Sequence, residues 1–190
     1  MTADMLNEFS SAVGAMTLAT DNYIRSIGVP DDLLYGGPSH VGVAHADLSD
    51  EATYQPLDAG APVVVVPVGI QGESGWDVIV DLVAFRVRDP AKWWRRIGNG
   101  VLLNPEGLRR AEGFDELLPV WSSPLSWLRS GGQGVVVLDW SAHLPFWFAG
   151  VSALACEDHA LARRLESALQ APAGKVPDVR VIRTEMAHAA

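Results

Sequence analysis

Apolar and polar positions alternate along this chain with two different periods. Met5, Leu6, Phe9, Val13 and Met16 recur at spacings of three and four, which predicts an amphipathic helix over residues 3–19. Thr20 is placed to cap a second, short helix that stops at Gly28, and "VPDDLLYGGP" reads as a connector with one further helical turn. From residue 40 the period changes. "VGVAHADL", "TYQPL", "PVVVVPVGI" and "WDVIVDLVAFRV" are rich in β-branched residues, and "DAGAP" and "QGESG" break them as turns. Residues 40–88 therefore predict a strand meander, hairpin after hairpin.

Residues 89–130 predict helices. In "DPAKWWRRIGNG", Asp89 suits an N-cap, Pro90 the first helical position and Gly98 the left-handed C′ position. On such a helix Trp93 and Ile97 share a stripe that would dock on the sheet, leaving Trp94 partly exposed. "SSPLSWLRSGGQGVVVLDW" has the same grammar: Ser123 caps, Pro124 starts and Gly131 stops a helix, and a buried strand follows. Its glycines come after a helix and before a strand. A phosphate cradle needs the opposite order, so they are assigned to a helix C-cap and a tight turn. Residues 134–184 then read as a βαβ-like unit, with strands at "GVVVLDW", "VSALAC" and "VRVIRT" and a helix at "EDHALARRLESALQ"; "EMAHAA" is left as a tail. The expected fold is α+β in a single domain over 1–190, with N-terminal helices at 1–28, a mostly antiparallel sheet with flanking helices, and a βαβ-like C-terminal part.

Composition narrows the class. Of the 190 residues 48% are hydrophobic and 19% charged, enough apolar surface for a sizeable core. One cysteine, Cys156, excludes an intramolecular disulfide and any multi-cysteine zinc site. "MTADMLNEFS" carries neither the basic nor the apolar region of a secretory signal, and "APVVVVPVGI" is too short to span a bilayer, so a cytoplasmic location with no membrane partner is expected. The formal net charge of −9 repels phosphate backbones and disfavours nonspecific nucleic-acid binding. The charge is uneven, however. Nearly all the cations lie from Arg86 onward, while the first 85 residues are acidic except for Arg25.

Three clusters carry candidate chemistry. Asp139 follows one proposed strand, and Glu157 and Asp158 follow the next. Ligands of open α/β sheets bind beyond the carboxyl ends of strands. These three carboxylates are therefore the candidate catalytic set, and the candidate ligands for Mg²⁺ and, through it, a phosphate-containing substrate, with His143 near enough in sequence to join them. The competing reading makes Glu157 and Asp158 ordinary first-turn helix residues that favour the helix dipole, and Asp139 a cap of the turn after its strand. Trp94, Arg95 and Arg96 are the candidate binding residues, as a base-stacking and phosphate-binding group within a basic stretch from Arg86 to Arg110, or as an anchor for a protein partner. His40, His45 and Asp47 form a weaker metal-binding pattern. Asp77 and Asp81 read as solvent-facing or paired with Arg86 or Arg88. Asp81, inside "VIVDLVAF", is an unusual place for a carboxylate. Cys156 reads as a buried, inert thiol.

The segments "IVDLVAFRVRDPAKWWRRIG", "PLSWLRSGGQGVVVLDW" and "ACEDHALARRLESAL" resemble uncharacterised proteins of proteobacterial prophages and integrated elements, over residues 76–170. Genes of that kind lie near replication and primase genes, which implies an accessory role in mobile-element DNA metabolism. The resemblance supplies no catalytic residues. The carboxylates after two strands are also similar to the Toprim arrangement of primases and topoisomerases, but no DxD follows a third strand. The expected function is a soluble, non-enzymatic accessory or protein-interaction protein. The alternatives are a divalent-metal-dependent enzyme using Asp139, Glu157 and Asp158, and a nucleic-acid binder using the local basic face.

Overall fold

The computed structural model describes residues 2–35, 39–71, 76–114, 116–170 and 178–181. Helices α1 (Thr2–Gly14), α2 (Leu18–Ser26) and α3 (Asp32–Tyr35) precede strands β1 (Gly42–Asp47), β2 (Gln55–Pro56), β3 (Ala61–Gln71), β4 (Trp76–Arg86) and β5 (Asp89–Arg95). The second half runs β6 (Leu102–Leu103), α4 (Glu106–Phe114), β7 (Leu118–Trp121), α5 (Pro124–Arg129), β8 (Val135–Val137), α6 (Leu144–Trp147), β9 (Ala153–Cys156), α7 (His159–Leu169) and β10 (Asp178–Val181). The fold is α+β. Its first five strands pair antiparallel in the order β2-β1-β3-β4-β5, and the rest form a mixed sheet, β10-β9-β7-β8-β6.

The run of valines in β3 is explained by burial on both faces. Val63 and Val65 pack with Met5, Phe9 and Ala12 of α1. Val64, Val66 and Val68 point the other way, into a core shared with Leu125, Trp127 and Leu128 of α5 and with Val136 and Leu138 of the second sheet. Leu102, Val135 and Val137 face the far side of that second sheet, where Leu108 of α4, Leu144 of α6 and Leu161 and Leu165 of α7 cover them. The layers thus alternate helix, sheet, helix, sheet, helix. Among the described residues the core holds 44 buried hydrophobic ones; beside them, Asp81 and Ser123 are the two buried polar ones.

The helix expected at residues 90–97 is instead strand β5. Ala84 pairs with Trp94 and Phe85 with Trp93, so the two tryptophans fall on opposite faces. Trp94 is buried with the α1 layer, and Trp93 is half-buried against the inter-sheet core. The expected order, Trp93 buried and Trp94 exposed, is reversed. The physical reason is pairing: β4 would otherwise end the sheet as a long apolar edge, and aromatic side chains fit a pleated surface. Asp89 and Pro90 punctuate a hairpin as well as a helix, and a proline is tolerated on an edge strand that needs no donor on that side. The stretch 89–130 therefore holds strands β5, β6 and β7 besides helices α4 and α5.

Two local expectations shift by a few residues. The N-terminal helix breaks after Gly14, and Thr17, not Thr20, caps α2; Thr20 returns the bond in a capping box. Ser123 caps α5 by accepting from the Ser126 N–H at 3.1 Å. After α5, Gly131, Gly132 and Gly134 all adopt positive φ, as a C-cap and turn require. A Cβ on Gly134 would lie 2.3 Å from the Pro119 carbonyl oxygen, so only glycine lets β8 approach β7 here.

Candidate functional site at the carboxyl edge of the parallel strands

Four strands of the second sheet run parallel, in the order β8-β7-β9-β10. The chain leaves β7 through α5 to β8 on one side, then returns through α6 to β9 on the other. The carboxyl ends of β7 and β9 consequently flank a topological switch point, where open sheets bind ligands. The residues that arrive there are Ser122 and Ser123 after β7 and Glu157 and Asp158 after β9.

Glu157 is fully engaged. Its carboxylate accepts the Ser122 N–H at 2.9 Å, the Ser122 hydroxyl, and the Ser126 hydroxyl at 3.0 Å. Its own N–H donates to the Val120 carbonyl at 3.1 Å. It therefore ties the turn after β9 to the start of α5. Asp158 is the N-cap of α7 and accepts the Leu161 N–H at 2.8 Å. Asp139 accepts from Arg95 Nη1 at 3.0 Å and from the backbone and hydroxyl of Ser141. Partial burial would raise the Asp139 pKa, but the hydrogen bonds from Ser141 and the charge of Arg95 outweigh it and hold the carboxyl below its ordinary value.

Asp139, Glu157 and Asp158 thus share one edge of the sheet, each engaged by its own set of donors. Among the described residues no group of three or more His, Cys, Asp and Glu side chains is placed to hold a metal ion. The three carboxylates expected to hold Mg²⁺ are therefore not gathered as one ligand set; each accepts from donors near it: a helix N-terminus, a serine turn or Arg95. His143 stands before α6, exposed and without a side-chain cap bond. His45 and Asp47 are exposed on β1, and Asp47 accepts the Ser49 N–H. His40 lies 6.2 Å from the Trp127 ring, so this trio does not gather either.

The basic cluster is equally committed. Trp94 donates its indole N–H to the Asp50 carbonyl at 2.9 Å and is covered by Lys92, whose ammonium sits 4.9 Å from the ring. Arg95 Nη1 also donates to the Gly98 and Gly100 carbonyls. Arg96 pairs with Glu8 of α1 at 2.9 Å and donates to Gln55. These three residues hold α1, the 50–55 segment and the second sheet against β5. They offer neither a stacking platform nor free phosphate-binding cations.

Asp81 explains how the two sheets are joined. It is fully buried, not solvent-facing and not paired with Arg86 or Arg88. One oxygen accepts the N–H groups of Leu82, Arg96 and Ile97 at 2.9–3.0 Å, and the other accepts that of Gly100 at 2.8 Å. The carboxylate fills a nest of backbone donors in the segment that carries the chain from β5 to β6. The Asp77 side chain lies outside the described residues. Cys156 is buried at the end of β9, and burial, with Asp158 and Glu166 nearby, pushes its thiol up to about 12, which fits an inert cysteine.

The open surface lies elsewhere. A polar cleft of about 430 Å³ runs past Asn104, Glu106, Arg110 and Gln133 at the opposite end of the parallel strands. A larger groove of about 700 Å³, predominantly apolar, lies where the inner face of the antiparallel sheet extends past the second sheet. Val43, Pro62, Val64 and Val87 form its floor and Tyr23 and Ile24 of α2 its wall. No sequence motif marks this groove. The one signal available was the break between α1 and α2, which sets α2 against the sheet. Comparison with family models, with curated proteins and with solved structures returns no match. No helix among the described residues is long and apolar enough to cross a membrane.

Proposed function

We propose that this chain is a non-enzymatic interaction protein that holds a partner in the groove between α2 and the antiparallel sheet, in the cytoplasm and as an accessory in mobile-element DNA metabolism. The observation that carries the reading is the groove itself. It is within the volume range of small-ligand sites and is walled by apolar side chains, while the polar residues that suggested catalysis or nucleic-acid binding are spent on joining elements of the fold. A partner side chain entering it would release water from the Val43, Pro62 and Tyr23 surfaces at about 25 cal/mol per Å² of apolar area.

The test is capture from the native host with two variants. Tyr23→Glu combined with Pro62→Glu puts two carboxylates on exposed positions of the groove, so the fold is retained. Phe146→Ser alters α6, at an apolar residue 75% exposed and outside the groove. The expected result is a partner lost by the first variant and kept by the second. A partner that both variants retain would place the contact elsewhere.

A further inference from the structure

The partner's chemistry can be read from the rim of the same groove, and this inference rests on the docking reading above. Arg25, Arg95, Arg96 and Arg109 each pair with a carboxylate. Arg86 and Arg88, which line one end of the groove, are exposed and make no ion pair or side-chain hydrogen bond among the described residues. They project from the hairpin between β4 and β5, two residues apart on either side of the half-buried Val87, which lines the groove with them. Two cations outside any ion pair thus flank an apolar channel in a chain of net charge −9. The Asp89 carboxylate follows Arg88 and faces Arg86 across the hairpin, yet among the described residues no ion pair joins a carboxylate to either arginine.

We propose that the groove receives a partner protein segment that sets aliphatic or aromatic side chains next to acidic residues, the apolar groups lying on Val43, Pro62 and Val87 and the carboxylates meeting Arg86 and Arg88. Each half of the surface then has a complement. Guanidinium groups bind carboxylates through paired N–H donors, and because they are weakly hydrated they lose little on entering a contact. The charge contribution acts on partner choice more than on raw affinity, and it rejects basic segments.

The probes are three labelled amphipathic peptides of about twelve residues with leucines at helical spacing. Glutamate, glutamine or lysine occupies the intervening positions. Binding is read by fluorescence anisotropy on the full chain at low salt. The glutamate peptide is expected to bind at least tenfold more tightly than the lysine peptide, with the gap narrowing as salt is raised. Arg86→Glu with Arg88→Glu should reverse the order of the two. Tyr23→Glu with Pro62→Glu should remove binding of all three. Equal binding of the three peptides, lost in the Tyr23 and Pro62 variant, would overturn the charge assignment and leave the groove as a docking site. No binding by any peptide would also overturn it. The docking reading itself falls only if the groove variant still captures the host partner.

Discussion

The two sheets of this molecule cover their strands by different means, and the difference locates the surface left open. The antiparallel sheet is made mostly by hairpins between neighbours in sequence, and its central strands are long; β3 and β4 each run for eleven residues. The second sheet is made by crossovers through α5, α6 and α7, and its strands span only two to four residues. Crossovers return helices over a sheet's faces, and the second sheet is covered on one side by α4, α6 and α7 and on the other by α5 and its neighbour. The long antiparallel strands extend past this cover, and the overhang with α2 is the groove. The region with the more suggestive chemistry, the carboxyl edge of the parallel strands, is therefore the closed one. The region without any motif is the open one.

The comparison also separates two ways of using a carboxylate. In the antiparallel sheet Asp81 is buried and bound only by backbone N–H groups, whereas at the parallel edge Asp139, Glu157 and Asp158 keep contact with solvent. Removing the first should have the largest effect. Asp81→Ala takes the acceptor from the buried Leu82 and Gly100 N–H groups and the part-buried Ile97 N–H, while Arg96 keeps its bond to the Leu82 carbonyl; it is expected to cost about 3–5 kcal/mol, as for breaking a buried charged network. Urea denaturation would measure it. A loss no larger than that of an exposed substitution would mean that water reaches the nest and that the junction between the sheets is loose.

The tryptophans come next. Trp94→Ala is expected to cost about 3–5 kcal/mol, the range for a buried large aromatic, and Trp93→Ala clearly less, because Trp93 keeps part of its surface in water. Equal or reversed costs in thermal unfolding would contradict the register of β5 on β4.

The smallest effect belongs to the pair that bridges the sheets. Asp139→Asn should cost about 1–3 kcal/mol by leaving Arg95 without its carboxylate. The pKa of Asp139 is lowered in the fold, so its contribution is present above the ordinary carboxylate value and fades as pH falls through the lowered one. The difference in melting temperature between the wild type and Asp139→Asn should accordingly be full at pH 7 and shrink at pH values below about 4. A difference that persists unchanged in acid would show that the ion pair contributes nothing and that packing explains the loss.

How much was legible follows the range of the interactions involved. The α+β class and the strands at 42–47, 61–71 and 76–86 were readable because alternation, β-branching and turn residues are encoded within a few positions. The same holds for α5 with its Ser123 cap, for the helix α7, whose N-cap proved to be Asp158 where a first-turn residue was expected, and for the burial of Cys156. Residues 89–95 were misread because Asp, Pro and Gly punctuate a helix and a hairpin alike, and only the unsatisfied edge of β4 decides between them. The candidate carboxylates were correctly placed after their strands, but whether they converge depends on donors that are far away in sequence; Arg95 lies 44 positions from Asp139.

The sequence by itself determined the local periods, the caps and the excess of apolar residues that makes a layered core possible, since each depends on neighbours along the chain. Only the tertiary structure decided that Trp94 and Asp81 are inside, that the parallel edge is closed by its own hydrogen bonds, and that a groove edged by Arg86 and Arg88 stays open. Those outcomes depend on how far one sheet overlaps the other, a quantity set by packing across the whole molecule and written at no single position.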